Sequence, residues 1–233
     1  MFQRLKSTLR DDTPRLLLDL LIVVAGVSIS FALQDWRTAT SERSTEARYL
    51  RSFADELELD RIELSRLIDV QEKAILDLRK LLQPTERALL GATEIDVAMD
   101  HALGYLTFSP ANATYFELRQ TGASRLIRDK ALLQSILALY ERRYAAAVEW
   151  DGISRKFVLD RIFPFIDEHG PSFLNGSRTT LAEGYHVVFM ALEADPRFRN
   201  QLRSAILFKE GQLLAYQQCH GAVKSLLDNL RRR

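Results

Sequence analysis

One cysteine, Cys219, stands in the whole chain. No disulfide can close within it, and cysteine usage says nothing about redox compartment. Glycine and proline are also scarce, ten and six in 233 residues, which suits an all-helical chain. No stretch alternates apolar and polar residues as a half-buried strand would, and no segment repeats. Charge of one sign is missing too. The 32 Lys and Arg offset 31 Asp and Glu, leaving +1, so there is no basic field to attract nucleic acid or acidic substrates. The four histidines, His101, His169, His186 and His220, include no i,i+4 pair of the kind that holds zinc on a helix. No glycine-rich phosphate loop occurs. Cys219 and His220 are neighbours without a third group to make a nucleophile. The sequence therefore offers no catalytic constellation, no cofactor site and no metal site.

What is present begins with an apolar block, Leu16 to Leu33, interrupted only by Asp19. At about 1.5 Å per residue, eighteen helical residues cover about 27 Å, near the hydrocarbon thickness of a bilayer. The block predicts a membrane anchor over 16–36, after a polar lead over 1–15. Asp19 lies one turn from the end, where a carboxylate can reach headgroup level; the alternative is a polar contact between protomers or with a partner. Gly26/Ser30 and Ser28/Ala32 are small-xxx-small pairs that let helices approach closely, and they point to self-association or to another membrane protein. Gln34 and Trp36 follow at the far interface, where aromatic rings are favoured. Two other readings fit the block: a cleaved signal peptide, with Arg4, Lys6, Arg10 and Arg15 before it, and a buried core helix. As a group those basic residues lie nearer the block than Arg37, Arg43, Arg48 and Arg51. The positive-inside rule then places the N-terminus inside and the domain outside.

The rest, 37–233, reads as a helical domain. From Leu50 a heptad pattern runs through Leu57, Leu64, Gln71 and Leu78 at one seam position. Phe53, Asp60, Leu67, Ala74 and Leu81 hold the other. This predicts a long helix over 45–83, ended by Pro84. Asp60 and Gln71 read first as the edge of the stripe, with a buried register-setting pair or a ligand contact as the alternative, and Asp55, Glu56, Glu58, Asp60 and Glu63 as a solvated charged face. Shorter helices are expected over 94–167, opened by Thr93, by Pro110–Asn112 and by Asp129. A further kink is expected at Pro164. Helices over 180–230 are expected from the capping box Thr180-Leu-Ala-Glu183 and from Asp195-Pro196. The turn signals between them are His169-Gly170-Pro171 and Asn175-Gly176.

The central run reads Thr107-Phe108-Ser-Pro110-Ala-Asn112-Ala-Thr114-Tyr115-Phe-Glu-Leu118-Arg119-Gln-Thr-Gly122-Ala-Ser-Arg125-Leu126-Ile127. As plain structure it is a helix-turn-helix corner. Asn112 or Thr114 caps a helix, Tyr115 and Leu118 face inward, and Gly122 takes the left-handed conformation at its end. As a ligand site it would use Asn112, Thr114, Tyr115, Arg119 and Arg125.

Two segments resemble one family. The first is Val24-Ala-Gly26-Val-Ser-Ile-Ser-Phe-Ala32-Leu33-Gln34-Asp-Trp36, close to a V-I-G-I-L-I-A-L-Q-x-x-x-W span but with the Trp displaced by one. The second is the central run, close to T-F-x-P-x-N-x-T-Y-x-x-L-x-x-x-G-x-x-x-L-I. Together they are similar to small bacterial membrane proteins classed only as a domain of unknown function. The resemblance covers about 16–60 and 105–145 and implies a membrane-anchored helical protein without a known activity, cofactor or catalytic residue.

The expectation is thus an all-α protein with one N-terminal transmembrane helix, a long helix and a multi-helix bundle. Its partners would be the lipid bilayer and a second copy or another membrane protein, with no nucleic acid. It would sit in the bacterial inner membrane with its domain extracytoplasmic. A non-enzymatic interaction or scaffold role leads. A ligand-sensing domain with a pocket near Asn112–Arg125 is the alternative, and an enzyme with an unrecognised site is the third.

Overall fold

The computed structural model describes the backbone of residues 2–171 and 184–232, and the side chains of Leu18 and of residues 20–171 and 184–232. Asn175-Gly176 and the Thr180–Glu183 box lie outside the described residues. Among the described residues every regular element is a helix and none is a strand. The chain divides into two units, Met1–Arg51 and Ser52–Arg233.

Helix α1 spans Phe2–Leu82 without interruption. Between Leu33 and Pro84 neither glycine nor proline weakens it. Gln83 takes an extended conformation before Pro84, as proline's ring demands of its predecessor, and the helix stops there. In the first unit the large apolar side chains from Leu18 to Leu33 are 45–68% exposed. That segment is long and apolar enough to cross a membrane, and none of its 18-residue apolar window is buried by the protein.

The second unit is a helical bundle. After α1 come α2 (Pro84–Arg87), α3 (Ala92–Leu103), α4 (Ala113–Gln120) and a 3-10 turn (Ala123–Leu126). A helical run follows from Lys130 to His169: α5 (Lys130–Ala138), α6 (Ala145–Phe157) and α7 (Phe163–His169), joined by π-helical segments Leu139–Tyr144 and Val158–Ile162. Beyond it lie α8 (Tyr185–Leu192) and α9 (Pro196–Arg231). In the run from Lys130, besides Leu132, Leu133 and Leu139, a buried stripe runs through Ile136, Tyr140, Tyr144, Ala147, Asp151, Ser154, Val158, Ile162 and Ile166. The step is four at the π segments, where the turn is wider, and alternates three and four between them. Pro164 stands in the first turn of α7, just after the π segment Val158–Ile162.

Helix α9 runs antiparallel to the second-unit part of α1. Glu58 meets Arg231, Gln71 meets Lys209 and Gln212, and Arg79 meets Glu210. One core cluster gathers Leu78 and Leu81 of α1, Met99 and Ala102 of α3, Ile162, Phe189 of α8, and Phe198 and Leu202 of α9. Caps follow the sequence at two helices: Asp129 accepts from Leu132 N–H, and Asp195 from Arg197 N–H. At α3 the cap lies earlier than expected. Gly91, not Thr93, is the capping position, and Glu94 reaches back to its N–H at 2.8 Å.

Candidate functional site

Residues 104–112 connect α3 to α4 without regular structure. Buried backbone groups in such a segment need side-chain partners. The bundle supplies them from three directions. The C=O of Gly104 accepts from Lys209 Nζ at 3.2 Å, and that of Leu106 from Gln212 Nε2 at 3.0 Å. The N–H of Phe108 donates to Asp151 Oδ2 at 2.6 Å, and that of Ala111 to Asp60 Oδ1 at 2.8 Å. Tyr140 donates its hydroxyl to the Ala111 C=O at 3.1 Å. Glu56 Oε1 accepts from both the N–H and the hydroxyl of Thr114, at 2.9 and 2.8 Å.

A second layer holds these side chains. Tyr144 donates to Asp60 Oδ2 at 2.5 Å, and Tyr216 to Asp151 Oδ1 at 2.5 Å. Gln71 Nε2 donates to Gln212 Oε1 and to the Lys209 C=O. Asp60 and Gln71 are thus buried contacts, not the edge of the apolar stripe, and the charged face of α1 is only partly solvated. The reason is that their partners come from residues 111, 144, 209 and 212, which the α1 pattern cannot reveal.

Burial governs the titration of this network. Desolvation raises the Asp60 carboxyl above its ordinary range, against the Tyr144 hydroxyl that favours the charged form. Burial likewise pushes up the phenols of Tyr144 and Tyr216, helped by Asp60 and Asp151 respectively. Lys209, 3% exposed, is pushed down to about 8 by desolvation, with Asp100 acting weakly against it. The Cys219 thiol is pushed up to about 12 by burial and donates to the Arg143 C=O, so it is not poised for chemistry. Asp60 and Asp151 each accept hydrogen bonds on both oxygens, the geometry of fixed anchors rather than of a free base. Among the described residues no group of three His, Cys, Asp or Glu lies close enough to hold a metal ion.

Beside the connection lies a groove of about 450 Å³, lined by Pro110, Asn112, Tyr115, Phe116, Tyr140, Tyr144 and Val148, with Ala145 and Glu149 completing it. Tyr115 and Tyr140 stack in parallel at 4.5 Å between ring centroids, and Tyr144 meets Tyr140 edge-on at 5.0 Å.

The six residues singled out in the central run divide among several tasks. Asn112 and Tyr115 line the groove, and the Asn112 side chain does not cap α4. Thr114 is bound by Glu56, which does the capping from another helix. Arg119 pairs with Glu141, which also accepts from the Tyr115 hydroxyl at 2.9 Å. Gly122 takes the left-handed conformation, φ 65°, as its position after α4 requires. Arg125 is exposed on the 3-10 turn. In the first unit Gly26, Ser30 and Gln34 lie along one face with Val23, Val27 and Phe31, and Ser30 Oγ donates to the Gly26 C=O. Trp36 is 63% exposed. The side chain of Asp19 lies outside the described residues.

Sequence reasoning missed Tyr144, Asp151, Lys209, Gln212 and Tyr216. The signal available was their place on apolar helix faces, at the spacing of buried positions. Compared with protein-family models, with curated proteins and with solved structures, the chain matches none.

Proposed function

We propose that this chain is a non-enzymatic, membrane-anchored interaction module. One span lies in the bacterial inner membrane, and the helical domain is extracytoplasmic and joins a second copy or another membrane protein. The proposal includes membership of the bacterial membrane-protein family that the two sequence segments resemble. The observation that carries it is the exposure of every large apolar side chain from Leu18 to Leu33. Side chains of that kind, continuous over a bilayer's thickness, need an apolar solvent. The open face at Gly26 and Ser30 supports close approach of another helix, since a Cβ built on Gly26 meets nothing within 4 Å.

Cross-linking in native membranes tests the interaction. Wild type is expected to trap as a dimer or as an adduct, and Gly26→Ile with Ser30→Ile to reduce the yield. A monomer throughout, or a yield indifferent to both changes, contradicts the anchor's part. Orientation needs an exposed reporter, because Cys219 is 1% exposed. With Leu89→Cys, whose position is 86% exposed, an impermeant maleimide is expected to label intact spheroplasts. Labelling only after lysis places the domain inside.

A further inference from the structure

The groove beside residues 108–116 has a chemistry of its own. Tyr115, Phe116, Tyr140 and Tyr144 are four of its nine lining residues; Tyr140 and Tyr144 are buried, and the aromatic surface open to solvent is chiefly that of Phe116, 51% exposed. Among the described residues that line it, Glu149 alone is charged. Behind the wall stand two further carboxylates. Asp60 lies against Tyr144, and Glu56 holds Thr114 with one oxygen while its Oε2 is buried without a hydrogen-bond partner among the described residues. Arg119, on the same helix as Tyr115, is paired with Glu141. The charge lining the groove is therefore acidic. Burial first, then Glu56 and Asp60, push the Tyr140 phenol upward.

We propose that this groove binds a small organic cation, an alkylated ammonium carried by a free molecule. The π faces of tyrosine and phenylalanine attract a cation, and more so a soft one that sheds water easily. Glu149 at the rim sets the sign of the charge, and a neutral aromatic compound would leave it without a counter-charge. The volume of about 450 Å³ lies in the range of small-ligand sites, about 300–1,000 Å³. The Asn112 amide, uncommitted to capping, stands at the groove as a polar contact for a substituent. This site is independent of how the anchor is used.

Choline is the probe, titrated calorimetrically into the full chain in uncharged maltoside micelles, which carry no choline headgroup. Saturable one-to-one binding is expected, with 3,3-dimethylbutan-1-ol, the neutral isostere, at least about tenfold weaker. Phe116→Leu keeps apolar volume and removes the π face; Glu149→Gln removes the rim charge. Both sites are exposed, and each variant is expected to weaken choline about three- to tenfold. Equal affinity for the isostere, no saturation up to about 10 mM, or binding unchanged in both variants overturns the proposal. Repetition in phosphatidylcholine nanodiscs separates the sources of the cation. Unchanged affinity fits a free ligand, and loss of choline binding assigns the groove to a lipid headgroup instead, against the proposal.

Discussion

Lys209 is the residue whose environment is most at odds with its chemistry. Its ammonium is buried, donates to the Gly104 C=O, and has no carboxylate at ion-pair distance among the described residues. Its folded pKa, about 8, lies below the ordinary 10.5. Below pH 8 both folded and unfolded chains hold the proton, and the folded state carries the whole desolvation cost. Between 8 and 10.5 the unfolded chain holds a proton that the folded chain has lost, so this group adds stability as pH rises. Across the window the contribution is about 3 kcal/mol. Thermal unfolding of full chain in micelles, at pH 7 and pH 10, checks it against Lys209→Met. Wild type is expected to gain on the variant at the higher pH. A constant difference would mean that the ammonium is hydrated in the folded state. Aspartates 60 and 151 stand in a different position, since each is buried but answered by donors from two or more elements.

Helix ends and close approaches decide matters at the scale of elements. Helix α9 carries two interior glycines with opposite surroundings. A Cβ on Gly221 meets nothing within 4 Å, whereas one on Gly211 falls 2.5 Å from the Trp150 ring of α6. Gly221→Ala is expected to stabilise by about 0.5–1 kcal/mol through helix propensity. Gly211→Ala is expected to destabilise by about 1–3 kcal/mol, because the indole must leave its seat. Chemical denaturation midpoints in one detergent compare the two, and equal gains would contradict the α6–α9 contact. Element identity was legible because local patterning writes it. The stripe from Leu50, Pro84 as a stop, Asp129 and Asp195 as caps, and Gly122 as a left-handed terminator are all properties of a few adjacent residues. The connection at 104–112 was legible as a motif but not as a mechanism. Its bonds run to Asp60, Asp151, Lys209 and Gln212, up to 106 residues away, and sequence spacing carries no trace of such pairings. The π segments were likewise hidden, since a helix that widens by one residue per turn keeps the same composition.

At the scale of the whole molecule the two units treat their apolar side chains differently. The second hides its apolar side chains within a bundle, around Leu81, Met99, Ile162, Phe198 and Leu202. The first leaves Leu20 to Leu33 uncovered. About 25 cal/mol is lost for each Å² of apolar surface kept in water, so an uncovered segment of this length has to meet lipid or another apolar surface. The central claim is that lipid covers it. Alkaline carbonate washing of cell membranes, followed by intact-mass measurement of the protein in each fraction, tests this most directly. The account predicts full-length chain retained in the membrane pellet. Release of the chain into the wash, or recovery of a species beginning near Leu33, would contradict it.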